Sequence, residues 1–461
     1  MITVTEYAGQ KVGVFGLGKA GQAAVASLSA GGAQVFSWDD KGNGSMAFEQ
    51  WPWAELKALV LSPGVPLTHP KPHPVVELAH AHNVPVIGEV ELLYRACPDA
   101  RFIGITGTNG KSTTTTLIGH ILQHAGVKAE VGGNLGTPAL ALAPLGKDGI
   151  YVLELSSYQL DLLKTVRFNI AAFLNVTPDH LDRHGDMEGY IAAKMHIFDR
   201  QQKGDVAVIA VDDEYTKGIR DSGFRIQEII EVSAYQTLVA GVYVQDGVLI
   251  DARIPNPESR IRLNDIATLT GQHNWQNAVV AYGVARACGV APDVIYKAMQ
   301  SFEGLRHRLQ TVAIIKGVRF INDSKATNAD ATSHALAPFE NIYWILGGKP
   351  KEGGIVPLAE YFPKVAHAFL IGQAEDEFAQ TLEGKVAYTR CGTLDVAVKK
   401  AADMAFKDSG SKISSPNPES RILNPPVVLL SPACASFDQF KSFEERGDVF
   451  CTLVEELAHA S

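Results

Sequence analysis

The sequence predicts an α/β protein of three domains, each a mostly parallel sheet flanked by helices, and three observations lead there. Short apolar runs recur from end to end and break into glycine, serine, asparagine or aspartate: KVGVFGLG, ALVLSPG, RFIGITG, YVLELSS, IAAFLNVT, VRFINDS, YWILGG, AFLIG and VVLLSP. Continuous apolar runs of this length are strands buried on both faces, which requires helices on both sides of a parallel sheet. The stretches between them carry helical patterning, as in QAAVASLSAGG and NWQNAVVAYGVARACGV. Finally, 461 residues exceed one core, and roughly 100 to 200 residues per domain favours two to four domains, of which three are expected. In such sheets ligands collect beyond the carboxyl ends of the strands, so the polar residues ending each run are the functional candidates.

The divisions expected are 1–89, 90–302 and 303–461. A new strand leads out of VIGEVELLYRACPDARFIGITG near residue 90, and FEGLRHR (302–308) opens the last domain. The proline-rich SPGVPLTHPKPHP (62–74) is followed by more α/β pattern and reads as a loop inside the first domain. PNPESRI occurs twice, at 255–261 and 416–422, and its turn formers read as two exposed loops. Apolar residues at 46%, charged residues at 20% and a net charge of −9 describe a soluble globular chain with no broad electrostatic grip on nucleic acid. The cysteines Cys97, Cys288, Cys391, Cys434 and Cys451 form no C-x-x-C pair, which fits a reducing cytoplasm rather than a disulfide framework. The N-terminal stretch has no basic segment followed by an apolar core, and no apolar run reaches the ~18 residues of a spanning helix, so no membrane association is expected.

The first glycine cluster, Gly16-Leu17-Gly18-Lys19-Ala20-Gly21, is G-x-G-x-x-G between the strand KVGVF and a helix. Asp39, after the strand AQVFSW, stands where a ribose-binding acid stands in dinucleotide sites. The glycines let a helix N-terminus approach a diphosphate, and NAD, another nucleotide diphosphate or a tight packing turn each satisfies that pattern. The second candidate, GITGTNGKSTTTTL (104–117), fails the G-x-x-x-x-G-K-[S/T] pattern because Ile105 replaces the first glycine. Its strand-loop-helix setting still suits phosphate: backbone N–H groups from Thr108 and Asn109 through Gly110 to Ser112 form a cradle, Lys111 meets the terminal phosphates, and Ser112 offers a ligand to Mg²⁺. Glu154, near the end of YVLELSSYQ, and Asn175, Asp179 and His180, in AFLNVTPDHLDRHG, add a hard-cation site with acid-base groups. Lys194, in GYIAAKMHIFD, reads locally as a solvated helix charge. The polar segments 322–328, 347–351 and 431–437 put lysines and hydroxyls at strand ends, where they can clamp a small acid, and Cys434 among them reads as a buried structural thiol. The domains expected in chain order are Rossmann-like, P-loop ATPase-like and Rossmann-like.

TGTNGKST, ELSSYQL, NVTPDHLDRHG followed by YIAAK, GQHNWQN, GLRHR and NDSKATN occur in the order found in the Mur ligases, ATP-dependent amide-forming enzymes of peptidoglycan precursor synthesis, and the chain resembles that family from residue 11 to about 450. GLGKAG and LLSPACASFDQFKSFEERG are similar to the branch that joins D-glutamate to UDP-N-acetylmuramoyl-L-alanine. The resemblance implies that Gly16, Leu17, Gly18, Lys19, Ala20 and Gly21 face the uridine diphosphate, with Asp39, Asp40 and Lys41 at the uracil end and Ser62 and Gly64 at a second strand end. Lysine at 41 departs from the family's arginine. It implies that Asn134, Ser156 and Gln159 line the muramoyl-alanine path. ATP would be held by Thr108, Asn109, Gly110, Lys111, Ser112 and Thr113, with Asn274, Asn277, Arg308 and Asp323 on its other sides. Two Mg²⁺ ions would be held by Ser112, Glu154, His180 and a carbamate on Lys194, which makes Lys111, His180 and Lys194 the catalytic set. Lys325, Thr327, Lys351, Ser436, Phe437 and Phe443 would hold D-glutamate. A monomer acting on small molecules is expected. A sister ligase, such as a folylpolyglutamate synthase or the ligase for the third peptide residue, remains an alternative, although the D-N-P-R of the latter is missing. An NAD-dependent oxidoreductase fused to a P-loop module is the alternative from another class.

Overall fold

The computed structural model describes residues 1–134, 136–219, 228–254, 260–269, 271–350, 353–413 and 425–459. They form two compact units, Met1–Phe302 and Glu303–Ser461.

The first unit carries two sheets. Its N-terminal part runs β1 (Lys11–Phe15), α1 (Lys19–Ala30), β2 (Gln34–Asp39), β3 (Asn43–Gly44), β4 (Leu56–Leu61), α2 (Pro74–Ala81), β5 (Val86–Ile87) and α3 (Glu89–Ala96), with sheet order β3-β2-β1-β4-β5. Strands β2, β1, β4 and β5 are parallel, and β3 is an antiparallel edge. Of the segment 62–74, expected as a loop, residues 62–73 are one, ending where His73 caps α2 by accepting from Val75 N at 3.2 Å.

The second sheet is built from β6 (Arg101–Thr106), α4 (Lys111–His124), β7 (Ala129–Gly133), β8 (Ile150–Glu154), α5 (Ser157–Leu160), β9 (Ile170–Phe173), α6 (Leu181–His184), α7 (Met187–Met195), β10 (Val206–Ala210), α8 (Glu214–Lys217), β11 (Glu228–Ser233), β12 (Val242–Gln245), β13 (Val248–Asp251) and β14 (Ile261–Arg262), closed by α9 (Gln272–Ala287) and α10 (Pro292–Gln300). Its order is β14-β13-β12-β11-β10-β9-β6-β8-β7, parallel as far as β12 and antiparallel at the β13–β14 edge. Leu117, Ile118, Ile121 and Leu122 of α4 pack with Val279, Val280 and Val284 of α9 on one face. Burial of this stripe offsets the poor helix propensity of the threonines at 113–116.

One apolar cluster runs across the stretch expected as two domains. Val12, Val14, Leu28 and Val60 around the first sheet join Phe102, Tyr151, Leu153 and Phe168 around the second. Backbone bonds tie the seam: Ile2 N donates to Leu140 O at 2.8 Å, and Gly88 N to Leu162 O at 3.2 Å. The buried Glu89 side chain accepts from Leu140 N at 2.8 Å.

The second unit holds β15 (Gln310–Ile315), β16 (Val318–Asn322), α11 (Ala329–Leu336), β17 (Ile342–Gly347), β18 (Val365–Ile371), α12 (Glu375–Leu382), β19 (Tyr388–Gly392), α13 (Leu394–Ile413), β20 (Val427–Leu430) and α14 (Phe443–His459), in sheet order β15-β16-β20-β17-β18-β19. Among the described strands of this sheet only β15 and β16 pair antiparallel. Alternation along β17 separates two cores: Trp344 and Leu346 pack with Leu336, Phe378 and Leu382, whereas Tyr343 and Ile345 pack with Leu394, Ala397 and Phe450. Of the repeated heptapeptide, only Arg260 and Ile261 lie inside the described residues. No helix among the described residues is long and apolar enough to cross a membrane.

Candidate active site

The glycine turn after β1 abuts the end of β4. A Cβ on Gly21 would collide with the Gly16 carbonyl oxygen, so the third glycine is demanded by the approach of α1 to the turn. Gly18, the residue before α1, has open space around it. Lys19 and Ala20 start the helix. Asp39 accepts from Leu17 N at 2.8 Å and Lys41 N at 2.9 Å, and these backbone donors hold its carboxyl below the usual carboxylate range. Its side chain therefore shapes the glycine turn. Asp40 pairs with His73 at 3.2 Å. Ser62 N donates to Phe15 O at 2.9 Å, which seats Ser62 beside Gly16, and the Gly64 carbonyl accepts from Arg183 Nη1 at 3.0 Å.

The loop between β6 and α4 turns at Gly110, whose φ of +81° is left-handed and where a Cβ would collide with Asn277 Oδ1. Asn175 pins the loop by accepting from Thr108 N at 3.2 Å and Asn109 N at 2.8 Å and donating to Asn109 O at 3.2 Å. Those two N–H groups, expected in the phosphate cradle, are thus used internally. The first-turn N–H groups of α4, at Lys111, Ser112 and Thr113, have no carbonyl of their own helix within reach and bring the positive end of its dipole to the loop. Thr108 Oγ1 lies 3.2 Å from both Thr177 O and Tyr190 Oη. Lys111 Nζ donates to Thr108 O at 2.8 Å and Gly107 O at 3.0 Å, which keeps its charge at the loop.

Lys194 is not the solvated helix charge that its local pattern suggests. Its residue is 1% exposed, Nζ donates to Gly107 O at 2.8 Å and sits 4.5 Å from the centroid of Tyr190. Burial, reinforced by the like charge of Lys111, pulls the amine down to about 7. Lys194 therefore has a substantial neutral, nucleophilic fraction near neutral pH.

Glu154 ends β8, directly beside β6, and is buried. Its Oε1 accepts from Asn134 Nδ2 at 2.9 Å, while Oε2 is buried without a hydrogen-bond partner. An unpartnered buried carboxylate oxygen at a strand's carboxyl end is the feature a bound cation would satisfy. Ser156 and Gln159 form a capping box on α5: Gln159 N donates to Ser156 Oγ at 3.3 Å and Ser156 N to Gln159 Oε1 at 3.0 Å. His180 takes a left-handed conformation at φ 54°, half exposed, with Nε2 3.4 Å from Asp179. Four residues on, His184 is buried, bonds Ser157 Oγ at 2.9 Å and stacks on Tyr158. Burial and then the positive charge of Lys194 push its imidazole down to about 4, so it is neutral. Among the described residues no three His, Cys, Asp or Glu side chains gather as a metal cluster.

On α9, Asn277 is buried, accepting from Thr114 Oγ1 at 3.1 Å and donating to Asn274 Oδ1 at 3.3 Å. Between them Gln276 accepts from Asn175 and donates to Asp212, both at 2.8 Å. The motif GQHNWQN thereby braces the loop between β6 and α4 from behind.

In the second unit Arg308 is half-buried near Asp323, whose carboxyl accepts from Ser431 Oγ at 2.8 Å and Leu309 N at 3.1 Å. Burial dominates there and raises Asp323 to about 7. Lys325 Nζ lies 5.2 Å from the Phe443 ring centroid, and Thr327 is half-buried before α11. Ser436 Oγ is buried without a hydrogen-bond partner, whereas Phe437 is 69% exposed. Lys351 lies outside the described residues. Sequence reasoning passed over Arg446, in the FEERG segment: it is buried and donates to Ser324 Oγ and Ser324 O at 2.9 Å and to Cys434 O at 3.2 Å. It also passed over Arg183, His184, Tyr190 and Gln276, which sit inside segments quoted for other residues.

Residues 105–285 match the Mur ligase middle domain and residues 307–411 the Mur ligase glutamate ligase domain. The chain is 48% identical to UDP-N-acetylmuramoylalanine--D-glutamate ligase of Rhodospirillum rubrum, over 100% of this chain and 97% of that one. Among solved structures, UDP-N-acetylmuramate-alanine ligase MurC of Thermotoga maritima matches with a TM-score of 0.59 at 16% identity, covering 98% of this chain and 100% of the other. MurF ligase of Thermotoga maritima in complex with ADP matches with a TM-score of 0.55 at 16% identity, covering 99% and 98%. These structural likenesses carry the fold.

Proposed function

The chain belongs to the Mur ligase family, and on that premise we propose that it joins D-glutamate to UDP-N-acetylmuramoyl-L-alanine with hydrolysis of ATP to ADP and phosphate, a step of peptidoglycan precursor synthesis. The observation that carries the reading is the convergence at one loop of the α4 N-terminus, Lys111 and the buried Lys194 amine, with Glu154 on the adjacent strand. The full-length relative supports the choice of substrates over those of a sister ligase.

The proposed division of labour follows the sheets. Residues 1–89 hold the UDP-sugar at Gly16 to Gly21, Asp39 to Lys41, Ser62 and Gly64; residues 90–302 hold ATP; residues 303–461 hold D-glutamate through Lys325, Thr327, Lys351, Ser436, Phe437 and Phe443. Asn274, Asn277, Arg308 and Asp323 would complete the nucleotide site. The unpartnered Glu154 oxygen and Ser112 suit Mg²⁺, with His180 as a further ligand. When bound, the ions neutralise phosphate charge that otherwise repels an incoming carboxylate. A buried Lys194 amine whose charged form is penalised suits reaction with CO₂ to a carbamate, an anionic oxygen donor where a cation is costly. In place of Asn134, Ser156 and Gln159 acting only as substrate contacts, their bonds to Glu154 and to one another suit them to orienting the site's wall.

The α4 N-terminus and Lys111 hold the terminal phosphates, so the muramoyl-alanine carboxylate attacks the γ-phosphorus and ADP leaves. The resulting acyl phosphate is attacked by the neutral amine of D-glutamate, and collapse of the tetrahedral adduct expels phosphate. A monomer in the cytoplasm is the setting proposed, in keeping with the chain's acidic balance and scattered cysteines. The test is phosphate release: it should require UDP-N-acetylmuramoyl-L-alanine and D-glutamate together and ignore NAD(P)H. Equal release with L-glutamate, or without the UDP-sugar, overturns the reading.

A further inference from the structure

Arg183, in α6, has no part in the scheme above, yet it bridges the two sheets of the first unit. Its Nη1 donates to the Gly64 carbonyl at 3.0 Å, and its guanidinium carbon lies 4.6 Å from the centroid of Tyr158. Tyr158 stacks on His184, with centroids 5.3 Å apart and planes 13° apart, and its ring centre is 4.9 Å from that of His180. Pro63, Val65 and Leu67 of the loop after β4 line a crevice together with Tyr158, Asp161 and Arg183. At the same corner a Cβ on Gly185 would come within 3.2 Å of His69 Nε2, so the turn after α6 follows the 62–74 loop closely.

A guanidinium is suited to such a bridge. It is always charged, its planar fork fixes the direction of each donor, and its flat face stacks on an aromatic ring. A carbonyl held by a charged donor keeps its orientation better than one held by a neutral group. Ser62 is anchored on its other side by its bond to Phe15 O at 2.9 Å. The Ser62–Gly64 turn is therefore held between β1 and the Tyr158–His180–His184 aromatic group.

We propose that Arg183 is a positioning residue for the UDP-sugar: by holding the Gly64 carbonyl against the Tyr158 stack, it sets the Ser62–Gly64 turn relative to the phosphoryl-transfer loop. It acts through Gly64 and Tyr158 rather than on the reacting atoms, and the inference rests on the ligase reading.

Arg183→Met and Arg183→Lys, made in the full-length chain, test it. Calorimetry without ATP should show the Kd for UDP-N-acetylmuramoyl-L-alanine weakened roughly tenfold in the methionine variant and by about threefold in the lysine variant, which keeps a donor but lacks the flat face. KM for the UDP-sugar should rise in parallel, with KM for ATP and D-glutamate changed by less than about twofold and the Tm unchanged. Unchanged Kd in both variants overturns the proposal, as does an equal rise in all three KM values. If the methionine variant does not fold, the lysine variant decides by the same split. A wild-type protein that binds the UDP-sugar but ignores D-glutamate overturns the ligase reading, and the ratio of variant to wild-type Kd still judges Arg183.

Discussion

Replacing Lys194 with methionine should stabilise the protein at low pH while abolishing turnover. The Lys194 amine falls from 10.5 to about 7 because burial, and then Lys111, penalise its charged form. In an unfolded chain it would titrate near its ordinary value. Between these values the unfolded state binds more protons than the folded one, so this group makes stability rise with pH from about 7 towards 10.5; below 7 the penalty is present in full. At 1.36 kcal/mol per unit the shift corresponds to an upper limit of about 5 kcal/mol, of which about 2 to 3 kcal/mol is recovered between pH 7 and 9. Methionine keeps the stem's packing and removes the charge. Urea denaturation in CO₂-free buffer should therefore show Lys194→Met more stable than wild type at pH 6, with the advantage shrinking by about 2 to 3 kcal/mol at pH 9. The variant should be inactive at both pH values. With ¹³C-bicarbonate at pH 8, a carbamate signal should appear in wild type and be missing from the variant. A stability difference independent of pH would mean that Lys194 is not desolvated, and full activity in the variant would remove it from the chemistry.

Glu89 gives the opposite slope. Burial raises its carboxyl from 4.5 to about 7, so the folded state keeps the proton longer and stability falls as pH rises from 4.5 through 7. Glu89→Gln retains the acceptor for Leu140 N and should be more stable than wild type by up to about 3 kcal/mol at pH 8 with no gain at pH 4, measured by denaturant titration. Asn175→Ala removes the side-chain acceptor of Asn109 N, while Thr108 N keeps the Asn175 carbonyl at 2.9 Å, so KM for ATP should rise by roughly tenfold while the Kd for the UDP-sugar stays constant. Gly21→Ala drives a methyl into the Gly16 carbonyl and should cost about 1 to 3 kcal/mol, seen as a lower Tm with weakened UDP-sugar binding.

Every apolar run singled out in the sequence is a strand of one of the three sheets, and the fold class follows from them. This was legible because burial on both faces leaves a local signature that does not depend on which strand lies beside which. Local pattern was silent on the antiparallel edge β13–β14 and on the β15–β16 hairpin, short or half-exposed pairs whose partners lie outside the run being read. Part of the candidate site was legible for the same reason: Gly110, Lys111 and Ser112 must be consecutive for a loop to turn into a helix N-terminus, so their chemistry is written in their spacing.

The remainder depends on distances across the chain. Lys194 lies 87 residues from Gly107, and only the folded chain shows that its ammonium is buried against that carbonyl and the Tyr190 ring. Asn175 takes two N–H groups that the loop alone would offer to phosphate, and Asp39 turns inward to Leu17. The strands buried on both faces, the glycine turns and the family are written in the sequence, because periodicity and motif spacing are local properties of the chain. Which donors are already satisfied, which carboxylate oxygen is left without a partner and which amine loses its charge were decided by the tertiary structure, because desolvation and hydrogen bonding act between groups that only folding brings together.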